Sequence, residues 1–372
     1  MRGEGGISGG GGRSDKGGLV EQVDAMVGGG IRRELGGRDT VSSFCALPME
    51  GGEVRVLWDG AVCIEEMGRR LYLDPRRRRE AAVVTHAHLD HAIEGALMTH
   101  QTRDVMATRI LMSGFASRPL RYGELAEVGG FEVTLSEAGH VLGSAMVRTG
   151  DLLYTGDFNT STGITCGAAS PQRCRTLVVE ATYGDPRFVL PEQEQVVSDI
   201  IGWLEDGLES CPVVLGAYEF GKAQDLVALA NSLGAPVVVE DGIAPICEVY
   251  RKHGVPLDFT PLSIADPEVL RGPHVLVVPR RELRRPLSGH VRALRKRGAR
   301  TAYFSGWAAF WDFTGTYDID AQFPLSNHAD FRRLIDFVEA CAPSEVYTVH
   351  GAASSLAAEI TRRLGIRAEP LG

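Results

Sequence analysis

Three histidines and an aspartate fall within six residues of the sequence, as His86, His88, Asp90 and His91 in the segment THAHLDH. In extended chain residues i and i+2 point the same way, so His86 and His88 can address one cation. As the chain turns, Asp90 and His91 can face a second, which makes the segment half of a two-metal site. A lone histidine is ordinarily a solvated or hydrogen-bonded ring, but four ligand-type side chains at this density point to metal. One loop cannot fill two coordination shells, so further ligands must come from elsewhere. His140 in SEAGHVLGSAM, Asp157 in LLYTGDFN and His350 in VYTVHG each follow a strand-like run, and a carboxylate at 157 could bridge two cations. Glu180 ends TLVVE and His328 lies in LSNHAD. The other four histidines, His100, His253, His274 and His290, read as ordinary surface or satisfied rings. Two cations about 3.5 to 4 Å apart lower the pKa of a shared water toward neutrality and neutralise phosphoryl oxygens, which is chemistry for in-line attack at phosphorus.

These residues need elements to carry them. From Val54 the short runs EVRVLWDG, AVCIEEMG and RRLYLDP, separated by Gly or Asp, predict hairpins of a meander. AAVVT, residues 81–85, is apolar on consecutive positions and predicts a strand buried on both faces. Further strands are expected at 131–136, 144–148, 151–154 and 176–180. From about Asp185 helical and strand-like segments alternate, which signals βαβ units and a parallel sheet, placed at roughly 186–322. The last segment predicts a helix and a strand. Ser326 or Asn327 would cap that helix, Asp330 would sit in its first turn, and Phe331, Leu334, Ile335 and Val338 would form its apolar stripe.

Composition sets the outer limits. The chain has 372 residues, 44% of them hydrophobic, and a formal net charge of -9. It has no run of about 18 apolar residues to span a bilayer, and the start MRGEGGISGGGGRSDKGG lacks an apolar h-region. The expectation is a cytoplasmic protein without membrane contact. Residues 1 to about 18 are Gly-rich and read as a flexible tail. Seven cysteines form no C-x-x-C pair and read as reduced core thiols. Between Arg271 and Arg300 nine Arg and one Lys face a single acid, Glu282. Such a run is either a solvated face or a groove that tracks a phosphate backbone. Arg281, Arg284 and Arg285 are the candidate contacts, with Lys222 at the helix start GKAQD, where anions can bind.

The pieces THAHLDH, EAGHVLGSA, YTGDFN, VVEATYG, GKAQD, SGW, LSNHADF and VHG, in that order, resemble the metallo-β-lactamase superfamily, and within it the β-CASP nucleases. The resemblance covers the chain from about residue 53 to its end. It implies an αββα sandwich with an inserted α/β β-CASP domain, divided as a head at 1–48, a first part of the sandwich at 49–185, the insert at 186–322 and a second part at 323–372. It further implies two zinc ions. His86, His88 and His140 would hold one, Asp90, His91 and His350 the other, with Asp157 bridging. Glu180 matches the acidic first motif and His328 the second, used in the family as a proton donor. Asp90 and Glu180 join His328 as catalytic candidates. Lys222 stands where the family has Gly-Arg-x-Gln, keeping the charge without the bidentate fork.

The implied activity is a zinc-dependent nuclease cleaving single-stranded RNA or DNA. A His at position 350 is typical of the RNA-processing branches, so an mRNA 3′-end processing type is the leading expectation. A DNA exonuclease of the ligase-associated type is the alternative, and a small-ester or thioester hydrolase a more distant one. A homodimer stays open, as do polarity and endo or exo action.

Overall fold

The computed structural model describes residues 54–88, 93–110 and 116–372. The Gly-rich head and the first residues of the expected sandwich lie outside these, as do Asp90 and His91.

The meander forms as its turn spacing predicts. Arg55–Trp58, Val62–Glu66 and Arg69–Leu73 pair antiparallel, then Ala82–Val83, Leu97–Thr99 and Arg118–Leu120 continue the sheet in parallel. Residues 81–85 are all buried, as their apolar run requires, but only Ala82 and Val83 are laddered. A second sheet of seven strands is antiparallel through Leu125–Val128, Phe131–Glu137, Ala145–Thr149 and Leu152–Tyr154. It then turns parallel through Thr176–Glu180, Glu345–Val349 and Arg367–Pro370.

Side-chain alternation shows how the layers stack, because successive residues of a strand face opposite sides. Val83 and Leu97 of the first sheet share one core with Val133, Leu135, Val147, Tyr154 and Val178 of the second, so the two sheets lie face to face. The alternate residues Leu153, Leu177 and Val179 pack outward against the helices Phe331–Cys341 and Ala353–Leu364. Ala82, Val84 and Met98 pack outward against Val105 and Met106 of the helix His100–Arg109. The result is an α/β/β/α sandwich, the expected class.

Between Glu180 and Glu345 the chain leaves the second sheet and builds a third. Its strand order is Thr260–Pro261, Val237–Val239, Val275–Pro279, Val213–Ala217, Arg300–Phe304, Ala321–Phe323, and every pairing is parallel. The central strands are buried along their whole length, as a sheet covered on both faces demands. Helices Gln193–Leu208, Lys222–Ser232 and Ala244–Lys252 cover one of these faces, and their core is continuous with the helix His100–Arg109. The edge strand runs one residue past 322. Two side chains of the insert tie it to that helix: Lys252 Nζ and His253 Nε2 lie 2.7 and 2.9 Å from Asp104 Oδ2.

One expectation needs correction. Asp330, not Ser326 or Asn327, caps the helix Phe331–Cys341, its carboxylate accepting the Arg333 N–H at 3.0 Å. Ser326, Asn327 and His328 are thereby released into the preceding loop, where their polar groups serve other partners. The helix His100–Arg109 was not expected: only Thr102, Val105 and Met106 are buried, so it carries almost no apolar period.

Candidate metal centre

His86 lies near the end of the buried run at 81–87. Its orientation is fixed from behind by Asp74, a buried carboxylate just past the strand Arg69–Leu73. Thr85 donates both its N–H and its hydroxyl to the two Asp74 oxygens at 2.7 Å, and the Tyr154 hydroxyl adds a third bond at 2.9 Å. With its single hydrogen committed to Asp74, Thr85 Oγ1 can only accept. The His86 Nδ1 at 2.9 Å is therefore the protonated nitrogen, and Nε2 keeps its lone pair for a cation. Gly156 makes room for this packing, since a Cβ there would stand 2.6 Å from Thr85 Oγ1 at a φ of +55°.

His140 is set by the same logic. Ser144 Oγ accepts the N–H groups of His140 and Val141 at 3.0 and 3.1 Å, which fixes the loop before the strand Ala145–Thr149. Nδ1 lies 3.0 Å from the Asn327 carbonyl, which can only accept, so Nε2 again carries the lone pair. Burial, then the neighbouring His328, His88 and His86, hold this imidazole well below its ordinary pKa, in the neutral form a metal needs. Nε2 is buried and finds no hydrogen-bond partner among the described residues.

The rings of His86, His88 and His140 stand mutually edge-on at 4.6 to 5.3 Å between centroids. Asp157, just past the strand Leu152–Tyr154, brings Oδ2 to 3.5 Å from His86 Nε2 and 3.8 Å from His140 Nε2. Ligand atoms of all four residues lie within 4.8 Å of one another. Three imidazoles and a carboxylate suit zinc at about 2.0 to 2.2 Å, and the buried His140 Nε2, with no hydrogen-bond partner among the described residues, is free to ligate. The donor set fits a metal ion.

Asp157 belongs to a second group, with Glu180 and His328. Glu180 is fully buried at the end of Thr176–Glu180. Its oxygens accept from His328 Nδ1 at 2.8 Å, from the Thr182 N–H at 2.9 Å and from the Phe158 N–H at 3.3 Å. Burial by itself pushes this carboxyl up, but the His328 charge and the hydrogen bonds outweigh it and hold the group below its usual range. For His328, burial favours the neutral ring, while the Glu180 charge and hydrogen bond and the nearby Asp157 raise it above its ordinary value. A cation beside Asp157 would oppose that rise.

Asp90 and His91, expected at a second cation, lie outside the described residues. His350 follows Glu345–Val349, exposed and at a φ of 63°, its ring 6.2 Å from that of Trp58, and it is in neither ligand group. Lys222 is buried rather than presented to solvent, and its ammonium donates to Asn327 Oδ1 at 2.8 Å. Burial pushes it down to about 8, against the pull of Asp225. Four arginines of the basic run at 271–300, Arg281, Arg285, Arg295 and Arg300, are matched by acids from neighbouring segments. Arg281 pairs with Glu219, Arg285 with Asp318 at 3.5 Å, and Arg295 with both Asp318 and Asp320. Arg284 lies over the Tyr317 ring.

Sequence reasoning missed Asp74, Thr85 and Asn327, the groups that orient the histidines. Asp74 carried one faint signal, an acid ending a strand just before Pro75.

A family model for the Zn-dependent metallo-hydrolase RNA specificity domain matches residues 318–369. A probable DNA ligase of Opitutus terrae is 32% identical over 311 residues, covering 81% of this chain and 30% of that protein. The DNA cross-link repair protein SNM1 of Arabidopsis thaliana is 29% identical over 174 residues, 42% of this chain and 36% of that one. Transcription termination factor FttA of Methanothermobacter thermautotrophicus is 28% identical over 233 residues, 51% and 36% of the two chains. The chain thus spans about a third of the length of these curated relatives. A crystal structure of a protein of unknown function from Enterococcus faecalis V583 shares the fold at a TM-score of 0.53, with 14% identity over 75% of this chain and 78% of that one.

Proposed function

Because the chain belongs to the β-CASP branch of the metallo-β-lactamase superfamily, we propose that it is a zinc-dependent nuclease cleaving phosphodiester bonds of single-stranded nucleic acid. The observation that carries this reading is the convergence of His86, His88, His140 and Asp157, with the His140 Nε2 buried and without a hydrogen-bond partner among the described residues. Two zinc ions are proposed: one held by those three histidines, a second by Asp90, His91 and His350, and Asp157 shared between them. Bound there, the metals would supply Lewis acidity and a water acidified toward neutral pH.

The chain's own residues do the rest. Thr85 and the Asn327 carbonyl keep the His86 and His140 lone pairs aimed at the cation before it arrives, so little reorganisation accompanies binding. His328, with Nδ1 held by Glu180, keeps Nε2 for the leaving oxygen, to which it would deliver a proton. Beyond His328, Tyr183 leads to the half-buried rings of Phe188, Phe310 and Trp311, surfaces on which unstacked bases can lie.

The match at 318–369 favours RNA as substrate. A DNA strand is the second reading, favoured by the match over 311 residues to a probable DNA ligase. We further propose the division at 49–185, 186–322 and 323–372, with the cytoplasm as the compartment; among the described residues no helix is long and apolar enough to cross a membrane. The test compares 5′-labelled and 3′-labelled RNA and DNA oligonucleotides with zinc-loaded protein and with His88→Ala and Asp157→Ala. Cleavage by the parent and none by the variants is expected. Failure of the parent to bind zinc or to cut any strand would overturn the reading.

A further inference from the structure

The helix Lys222–Ser232 of the insert begins against the loop that carries His140. Gly221, at a φ of +85°, is where the two meet: a Cβ there would stand 2.6 Å from Val141 Cγ1. One turn of this helix presents two opposite charges to the same spot, since residues three apart share a face. Lys222 Nζ donates to Asn327 Oδ1 at 2.8 Å, and Asn327 Nδ2 donates to Asp225 Oδ2 at 2.8 Å. Thr165 Oγ1 closes the far side, donating to Asp225 Oδ1 at 2.6 Å. Lys222, Asp225 and Asn327 are all buried. The Asn327 amide is thus held at both ends, and the carbonyl of that same residue accepts from His140 Nδ1 at 3.0 Å.

From this chain of contacts we infer that Lys222 and Asp225 are positioning residues for the metal centre: they lock Asn327 so that its carbonyl presets His140 as a ligand. The inference rests on the reading of His140 as a metal ligand. A lysine at a helix start beside a nuclease site invites the role of phosphate contact, but this ammonium is buried and committed to an amide. The insert would then do more than cover a substrate groove. It would supply the outer support for a ligand that belongs to the sandwich, tying metal affinity to the seating of the insert. Such outer partners typically affect metal affinity by about 10- to 100-fold.

The test uses the full chain with Lys222→Met, Lys222→Arg and Asp225→Asn. Zinc affinity is read by competition with a chromogenic chelator, and the His140 tautomer by ¹⁵N imidazole shifts of the metal-free protein. Expected are a roughly 10- to 100-fold loss of zinc affinity in Lys222→Met, a mixed His140 tautomer in that variant, a smaller loss in Asp225→Asn, and recovery in Lys222→Arg. KM for an oligonucleotide should stay near that of the parent. Parent-like zinc affinity and tautomer in Lys222→Met would overturn the inference, as would a raised KM with zinc binding intact, which would make Lys222 a strand contact. If Lys222→Met does not fold, parent-like values in Asp225→Asn refute it equally. The tautomer is read without metal or substrate, so its failure is separable from a failure of the parent to bind zinc or cleave.

Discussion

Asp104 offers a quantitative test of how the insert is held on the sandwich. Its side chain is 11% exposed and receives Lys252 and His253 from the insert, with Arg103 beside it at 2.6 Å. Burial would raise its pKa, but the hydrogen bonds from Lys252, Arg103 and His253 outweigh that and hold it at about 2, against an ordinary 3.8. At about 1.36 kcal/mol per pKa unit, the ionised carboxylate contributes at most about 2 kcal/mol to folding at neutral pH. The exposure of Lys252, 64%, argues for a smaller share through screening. Because the folded pKa is depressed, this stability is fully present above the unfolded value and is lost as pH falls from about 4 through about 2. Asp104→Asn should therefore cost up to about 2 kcal/mol in urea unfolding at pH 7, and roughly half of that at pH 3. An undiminished gap at pH 3, or none at pH 7, would show that charge at Asp104 does not hold the joint.

Other expectations follow from the site. His328→Ala should keep its zinc and lose cleavage by about 10²- to 10⁴-fold, the usual share of a positioned proton donor; loss of zinc in a metal assay would refute that role. Chelation should lower the melting temperature, since a cation that binds only the folded state stabilises by mass action; calorimetry with and without chelator reads it. Reversing Arg285 to Glu should flatten the salt dependence of oligonucleotide binding by less than one charge, because Asp318 already engages it; a full-charge change in the slope would show that side chain to be free for the strand. Phe310→Ala with Trp311→Ala should weaken single-strand binding by about 1 to 3 kcal/mol per lost stack, measured by fluorescence anisotropy, with duplex binding unaffected.

The sequence alone determined the α/β class, the meander and the parallel insert, because each is written in local period: the hairpin runs from Val54, the apolar strands and the alternation after Asp185. It also singled out His86, His88, His140, Asp157, Glu180 and His328, since ligand-type residues at strand ends are visible one by one. Only the tertiary structure decided how they are aimed. Asp74 reaches Thr85 across 11 positions, and Asn327 reaches His140 across 187. No local pattern records contacts at such separations. The charged residues show the same limit: Lys222 and the 271–300 arginines looked available for phosphate, but burial commits Lys222 to Asn327, and distant acids engage Arg281, Arg285, Arg295 and Arg300. Charge is a property of composition, whereas pairing and desolvation depend on which elements the folded chain brings together.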